Sequence, residues 1–255
     1  MNESSHTGRE LPSLALQRTV ARVFSPLWML VSQPLMRIGY GWRIAGRESA
    51  RRTYRELRAS PGPLLVCANH LTMLDSFLVV WALGSLRFYL RDFGALPWNV
   101  PDRANFARSR WQRALAWSAK CIPISRGGDR KQVARVLERV ESALGSGDAV
   151  LIFPEGGRSR TGRVEVGSAA WGVGRLVRAL PGCRVLCVYL RGEGQEDSSD
   201  VPRRGERFRV AVSCFEPKSD HGGVRGSMDV SRQIVARIAE LERMHFAGDR
   251  FEAPR

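Results

Sequence analysis

Short apolar runs alternate with amphipathic stretches along most of the chain from residue 63 onward. The runs predict buried strands over residues 64–68, 122–124, 149–153 and 185–190, and alternating apolar and polar positions predict one more over 208–214. Apolar residues three and four positions apart predict helices over residues 76–83, 129–145, 167–180 and 230–246. Because strands that alternate with helices are typical of an α/β fold, we predict a mostly parallel central sheet flanked by helices.

The segment before this pattern, residues 11–38, has apolar residues at helical spacing. Ser25 followed by Pro26 predicts a helix N-cap and a first helical residue, which would divide the segment into two short helices. Arginines flank its apolar centre and favour an N-terminal amphipathic helix pair at a membrane interface: Arg18, Arg22, Arg37 and Arg43. The alternative is a helix pair that packs only on the core of the protein.

The pattern divides the chain into three predicted parts, which are N-terminal interfacial helices at 1–44, a main domain at 45–247 and a tail at 248–255. Two stretches of the main domain lack a clear period. Residues 91–113 predict a loop or broken helices that line a site. Residues 192–206 predict an acidic surface loop, which carries Glu193, Glu196, Asp197 and Asp200.

The charge of the chain narrows the choice of partners. Its 255 residues contain 40 Lys and Arg against 25 Asp and Glu, a formal net charge of +15. Arg contributes 37 of these cations and Lys 3, and the guanidinium group favours phosphate. We therefore expect an anionic partner, which is a phospholipid surface, a nucleic acid or a phosphorylated substrate.

Two further features bear on the compartment. The first fifteen residues lack the basic start and apolar stretch of a secretory signal, and no apolar run reaches the ~18 to 20 residues of a spanning helix. Five cysteines form no C-x-x-C pair, so we expect no disulfide framework and a reducing compartment. These features predict a cytoplasmic protein.

The sharpest candidate for chemistry is N-H-L-T-M-L-D, residues 69–75, directly after a predicted buried strand. On one continuous helix His70 and Asp75 would point about 140° apart, since an α-helix has 3.6 residues per turn. If His70 instead lies in the turn and Asp75 in the first helical turn, the carboxylate can orient the imidazole as a general base. The alternative is a histidine that caps the helix and an aspartate that pairs with an arginine.

The second candidate is F-P-E-G-G-R-S-R, residues 153–160, between a predicted strand and a predicted helix. Its glycines let the backbone approach a ligand closely, and its arginines and serine can hold a phosphate. The G-K-[ST] ending of a nucleotide-binding loop is absent, so the sequence does not support ATP binding. The alternative is a tight turn with solvated arginines. Between the two candidates, Arg126 follows a short predicted strand, where ligands of α/β sheets collect.

Together these blocks resemble the glycerolipid acyltransferase family. Asn69, His70 and Asp75 match its first motif, N-H-x-x-x-x-D, and residues 153–159 are similar to its third, F-P-E-G-[TG]-R-S. Residues 124–126 resemble the end of its second motif and 185–190 its hydrophobic fourth. The resemblance covers roughly residues 45–215. The chain departs from the family at Lys120 or Cys121, where a glycine is usual, at Cys187, where a proline is usual, and at Val166, where many relatives carry a lysine.

The resemblance implies an acyltransferase in which His70 acts as the general base and Asp75 orients it. It implies that the acceptor is bound by Arg126, Glu155, Gly156, Gly157, Arg158 and Ser159. The implied donor is an acyl thioester of coenzyme A or acyl carrier protein, and the implied acceptor is lysophosphatidic acid or a similar lysolipid. No cofactor or metal is expected. The departures leave open glycerol 3-phosphate, or a non-phosphorylated amine or alcohol lipid, as the acceptor.

A lysolipid substrate lies in a bilayer, so we expect the protein to sit peripherally on the anionic inner face of the plasma membrane. The rival function is a basic nucleic-acid-binding protein. Proteins that bind single-stranded nucleic acid require aromatic residues interleaved with basic ones on a strand. The arginines of this chain are scattered and lack such aromatic neighbours, so we expect no nucleic acid as a partner. The chain also lacks the G-x-S-x-G elbow of serine hydrolases, and its four histidines do not have the spacing of a zinc site.

Overall fold

A computed structural model describes residues 12–106, 109–125, 129–159 and 161–248. Its α-helices are α1 (Pro12–Pro34), α2 (Arg47–Ala59), α3 (Asp75–Leu83), α4 (Leu86–Arg91), α5 (Arg103–Phe106), α6 (Arg110–Ser118), α7 (Arg130–Gly145), α8 (Trp171–Ala179) and α9 (Gly223–Ala247). Its strands are β1 (Arg43–Ala45), β2 (Leu64–Ala68), β3 (Trp98–Asn99), β4 (Val150–Ile152), β5 (Arg184–Gly192) and β6 (Arg207–Phe215). A short π-helix, Leu35–Gly39, continues α1.

The strands form one six-stranded sheet in the order β1-β6-β5-β2-β4-β3. Strand β2 pairs in parallel with β4 on one side and with β5 on the other, and β3 pairs in parallel with β4. Strand β6 is antiparallel to β5 and parallel to β1. The predicted α/β class, with a mostly parallel sheet flanked by helices, is confirmed.

Both faces of the sheet are buried, as is usual where helices cover a parallel sheet. Along β2, Leu64, Val66 and Ala68 pack into a core with α2 and α3. The alternate residues Leu65 and Cys67 pack into a second core with α7, α8 and α9. The chain therefore forms three layers, and the ends of the central strands are the parts of the sheet that can reach a ligand.

The predicted break in the N-terminal helix is wrong, since α1 runs through Ser25 and Pro26 without interruption. Proline removes one backbone hydrogen bond from a helix, and burial elsewhere on the helix offsets this cost. Leu14, Gln17 and Ala21 are fully buried against the rest of the protein. The amide of Gln17 also donates to two backbone oxygens around α6, those of Trp117 at 3.0 Å and Cys121 at 2.8 Å. The predicted helix pair is therefore one long helix that packs on the core.

The predicted strand at 122–124 is also absent as a regular strand. The segment makes only isolated bridges, Asn99 with Cys121 and Asp102 with Ile124. Pro123 stands between them and has no N–H group to donate to a ladder. The neighbouring stretch 91–113 contains broken helices and the short strand β3, which is one of the two predicted alternatives. Residues 107 and 108 within it lie outside the described part.

The carboxyl ends of β2, β4 and β5 meet at one edge of the sheet because these adjacent strands are parallel. The N-H-x-x-x-x-D motif follows β2, the F-P-E-G-G-R-S segment follows β4, and the acidic loop of residues 193–206 follows β5. Side chains far apart in the sequence therefore converge at this edge, as ligand sites of α/β sheets do.

Candidate active site

The imidazole of His70 and the carboxylate of Asp75 lie side by side, with Nδ1 2.9 Å from Oδ2. His70 lies in the turn after β2, and Asp75 is the first residue of α3. The chain bends between them, so the two side chains meet although a continuous helix would separate them. Because a carboxylate accepts a hydrogen bond, Nδ1 carries the proton and Nε2 is left to accept one from a ligand.

The carboxylate of Asp75 is buried and held by the turn that it closes. Its Oδ2 accepts the backbone N–H groups of Leu71 at 2.6 Å and Thr72 at 2.7 Å, and its Oδ1 accepts the hydroxyl of Thr72 at 2.6 Å. The N-terminus of α3 adds a favourable dipole for a negative charge. Asp75 is therefore fixed in position before any substrate arrives, and it fixes the tautomer and orientation of His70.

The ring of His70 is held from a second side by Phe153, the first residue after β4. The two rings stack with centroids 4.1 Å apart and an interplanar angle of 17°. The side chain of His70 stays 15% exposed, so one edge of the ring is accessible. Before it, the amide of Asn69 bonds both backbone groups of Leu190, at 3.0 and 2.8 Å. This contact ties the exits of β2 and β5 together.

The segment after β4 brings Glu155 next to the turn of His70. Glu155 is buried, and burial raises the pKa of its carboxyl group to about 7, although the backbone N–H groups of Glu165 and His70 partly oppose this shift. Gly156 follows at φ +69°, a left-handed conformation that favours glycine, and Gly157 is half-buried in the same turn. Glu155 can therefore change its protonation state near neutral pH.

Arg158 and Ser159 take different positions. The guanidinium of Arg158 is partly exposed and its Nη1 lies 2.6 Å from Oδ1 of Asp200, in the acidic loop after β5. The hydroxyl of Ser159 is buried; it donates to the backbone oxygen of Arg163 at 2.6 Å and accepts the N–H of the same residue at 3.0 Å. The backbone N–H of Ser159 donates to the oxygen of His70 at 2.9 Å. Ser159 thus holds the loop together, whereas the side chain of Arg158 faces solvent.

Two arginines named from the sequence lie outside the described residues, Arg126 of the predicted acceptor site and Arg160. Among the residues that the structure describes, no three His, Cys, Asp or Glu side chains converge where they could hold a metal ion. All five cysteines are free thiols.

A largely apolar cavity of about 380 Å³ opens beside the His70–Asp75 turn. Met73, Ser76 and Phe77, from the turn and the start of α3, form one part of its wall. Helix α1 and its continuation supply a second part of the wall, with Trp28, Met29 and Met36 among others. Helix α6 and the residue after it supply a third part, with Leu115, Ala116 and Ala119. The shape and lining suit a flexible hydrocarbon chain.

Lys120 explains one departure from the family motif. It has φ +55°, a left-handed conformation in which a glycine costs less than a lysine. Its amine is fully buried; it donates to the backbone oxygens of Leu96 at 2.7 Å and Phe93 at 3.2 Å and lies 3.6 Å from Asp148. Burial lowers the pKa of this amine to about 8, and the nearby Asp148 limits the shift. These bonds offset the strained backbone and hold Leu96, which lines the cavity.

A family model described as acyltransferase matches residues 44–191, more than half of the chain. The chain belongs to the glycerolipid acyltransferase family. The resemblance of its motifs is thereby confirmed, and its general activity is acyl transfer. A comparison with curated proteins found no match.

In this acyltransferase, the sequence alone missed three contributors to the site. Thr72 supports Asp75 through its hydroxyl, and Asn69 joins two strands. Asp200 pairs with Arg158 across 42 positions of the sequence. A threonine inside the motif was a local signal for the first role. The contact of Asn69 depends on the pairing of β2 with β5, and that of Asp200 depends on β4 and β5 flanking β2; no local pattern encodes either arrangement.

Proposed function

We propose that the protein transfers a fatty acyl group from an acyl thioester to the free hydroxyl of lysophosphatidic acid or a similar lysolipid. The observation that carries this proposal is the 2.9 Å contact of His70 with Asp75, in a turn whose residue Met73 lines an apolar cavity. Membership of the acyltransferase family supports the type of reaction. The thioester donor, the acceptor and the general base are parts of the proposal.

In the proposed reaction, Nε2 of His70 takes the proton of the acceptor hydroxyl as its oxygen attacks the thioester carbonyl. The C–S bond then breaks, and the departing thiolate takes the proton back from Nε2. The carboxylate of Asp75 stabilises the imidazolium between these two steps. A thiol with a pKa of ~8.5 is a good leaving group, so the step needs no covalent enzyme intermediate.

The acyl chain of the donor occupies the cavity between α1, α3 and α6 in this proposal. Each buried methylene contributes about 0.8 kcal/mol to binding, so an apolar cavity favours long chains. Met73 and Phe77 line the cavity and lie within the turn and helix that carry His70 and Asp75. In this proposal a chain in the cavity has its carbonyl end next to His70 and Asp75.

The head group of the acceptor binds to the segment after β4 in this proposal, where Arg158 is accessible and Glu155 is buried. A guanidinium forms charge-assisted hydrogen bonds to a phosphate, and a carboxylate accepts a hydrogen bond from a glycerol hydroxyl. Gly156 and Gly157 let the backbone come close to this head group. Arg126 remains part of the predicted acceptor site on the strength of the family motif alone.

The protein meets its lipid substrate at an anionic membrane surface in this proposal. The outer face of α1 and its continuation exposes large apolar side chains: Leu16, Val23, Phe24, Leu27, Leu30, Val31, Leu35 and Ile38. Such a face, with arginines beside it, is typical of a helix lying in the interface. Within the described residues, no helix has both the length and the hydropathy to cross a bilayer.

The test is thiol release from a long-chain acyl thioester, of coenzyme A or of acyl carrier protein, against a panel of acceptors with the product identified by mass. The panel contains lysophospholipids, glycerol 3-phosphate, and amine and alcohol lipids. We expect release that depends on a lysophospholipid and an acylated lysophospholipid as product. Acylation of a non-phosphorylated amine or alcohol lipid alone, or release that does not depend on any acceptor, would contradict the proposal.

A further inference from the structure

The contact of Arg158 with Asp200 places a carboxylate at the point where an acceptor phosphate would bind. We infer that Asp200 determines the head-group specificity of the acceptor. With Arg158 it forms a paired site that favours a lysolipid carrying one phosphodiester and an ammonium group over a lysolipid with a doubly charged phosphomonoester. This inference rests on the proposed function, since it concerns which lysolipid that reaction uses.

The backbone of Asp200 is fixed to the turn that carries the dyad. Ser199 donates its N–H to the oxygen of Leu71 at 3.0 Å, and Met73 donates its N–H to the oxygen of Asp200 at 3.2 Å. Thr72 and Ser199 form a parallel bridge between these two bonds. Asp200 is thus held beside the residues that connect His70 to Asp75.

The loop that carries Asp200 is also held from below by Arg191, at the end of β5. The guanidinium of Arg191 is buried and donates to the backbone oxygens of Gln195 at 2.5 Å, Glu196 at 2.8 Å and Gly162. These bonds join the acidic loop to the loop after Arg158. The backbone around Asp200 is therefore held from two sides, whereas its side chain is exposed.

Both members of the pair are accessible to a ligand. The side chain of Arg158 is 36% exposed and that of Asp200 is 72% exposed. An exposed ion pair contributes about 0.2 to 1 kcal/mol, so a ligand phosphate can replace the carboxylate on Arg158 at small cost. Once replaced, the carboxylate remains within reach because its backbone is fixed.

The charge of Asp200 then distinguishes between head groups. A carboxylate beside a bound phosphomonoester adds repulsion, because both groups are negative. A phosphodiester that carries an ammonium group on a short linker presents one negative charge to Arg158 and one positive charge to Asp200. The two residues and the two ligand charges then form complementary pairs.

The experiment is a competition between lysophosphatidylethanolamine and lysophosphatidic acid of the same acyl chain, both present in one assay with a long-chain acyl thioester. We compare the wild type with Asp200→Asn, which removes the charge and keeps the shape. Asp197→Asn is the control, since it removes the same charge from an exposed position of the same loop. We expect the wild type to prefer lysophosphatidylethanolamine and Asp200→Asn to shift the product ratio about fivefold toward phosphatidic acid.

An unchanged ratio in Asp200→Asn, or an equal shift in Asp197→Asn, would overturn the inference while leaving the proposed function intact. A wild-type preference for lysophosphatidic acid would overturn it as well. If the wild type acylates another lysophospholipid but neither of these two, only the inference is overturned. If it acylates no lysophospholipid at all, the proposed function is contradicted together with the inference. Circular dichroism of the three proteins verifies that the variants fold, which the exposure of both positions leads us to expect.

Discussion

The carboxylate of Asp75 accepts hydrogen bonds from four groups, and an amide in its place could accept only through one oxygen. In Asp75→Asn the amide N–H₂ would face N–H or O–H donors and could not accept their hydrogen bonds. The turn would therefore lose hydrogen bonds, and His70 would lose the acceptor that orients it. We expect kcat of acyl transfer to fall about 10²-fold or more and the free energy of unfolding to fall by about 2 kcal/mol.

The control for this change is Thr72→Val, which removes one donor to Asp75 and leaves the contact with His70. We expect it to lower the free energy of unfolding by about 1 kcal/mol and to keep most of the activity. Steady-state kinetics and urea unfolding of both variants measure these effects. Near-normal turnover of a folded Asp75→Asn protein would remove Asp75 from the reaction.

The raised pKa of Glu155 predicts a pH dependence of stability. Its pKa is about 7 in the folded protein against an ordinary 4.5, so the folded state holds a proton that the unfolded state releases. The stability from this proton is present below about pH 4.5 and is lost as pH rises through about 7. Glu155→Gln stays neutral, so it should lose less stability than the wild type between about pH 5 and about pH 8. Urea unfolding of both proteins at these two pH values measures the difference. An equal loss of stability in the wild type and in Glu155→Gln would contradict the assigned pKa.

At the residue scale, the sequence could predict what lies close along the chain. The H-x-x-x-x-D spacing placed His70 and Asp75 together because a turn within five residues can close on itself. The partner of Arg158 could not be predicted, since Asp200 reaches it through a loop that follows a different strand. The predicted role of Ser159 at the acceptor stays a prediction, and the sequence did not show that its hydroxyl bonds the backbone of Arg163.

Helix α1 has a buried face, which contributes to the stability of the fold, and an exposed apolar face, which we expect to contact the membrane. Leu14 and Ala21 lie in the cores, so removing the helix would expose them and disturb the fold. A single change on the exposed face avoids this problem. We expect Val31→Glu to weaken binding to anionic vesicles about tenfold, because it removes apolar contact and adds repulsion.

The matched control is Val224→Glu on α9. Val31 is 63% exposed and Val224 is 62% exposed, so both changes add the same charge at the same exposure. Sedimentation with vesicles compares the two proteins with the wild type. If Val224→Glu weakens binding as much as Val31→Glu does, the effect is one of net charge and α1 is not the membrane-binding face.

Helix α6 tests the assignment of the cavity to the acyl chain. Ala116 lines the cavity, whereas Ala114 on the same helix faces solvent. Ala116→Leu adds three carbons to the wall, so we expect kcat/KM to fall about tenfold for a palmitoyl thioester and little for a decanoyl thioester. Ala114→Leu should leave kcat/KM unchanged for both thioesters. A uniform loss with both donors in Ala116→Leu would place the chain elsewhere.

At the element scale, periodicity predicted most helices and strands, and it failed where tertiary contacts decide. Ser25 and Pro26 predicted the start of a second helix, but α1 continues through them and has buried residues on both sides. The apolar residues of 122–124 predicted a strand, but Pro123 and single bridges leave the segment irregular. The helix predicted over residues 129–145 is present as α7, and Asp129 caps it because its side chain accepts the N–H of Lys131.

For the whole molecule, the sheet is the reason that the site exists. Three adjacent parallel strands, β2, β4 and β5, deliver their carboxyl-end loops to one edge, and helices α1, α3 and α6 enclose a cavity beside it. Sequence patterns predicted the α/β class and the family, because both depend on local periodicity and motifs. They could not predict that α1 would form a wall of the cavity, because this depends on how distant elements pack.

The central claim is that His70 is the general base of an acyl transfer to a lysolipid. The most direct test measures thiol release and acylated product in single turnovers, for the wild type and for His70→Ala, with equal folding and vesicle binding verified beforehand. We predict that the wild type forms acylated lysolipid and that His70→Ala loses about 10³-fold or more in rate. Product formation by His70→Ala at the wild-type rate would contradict the claim.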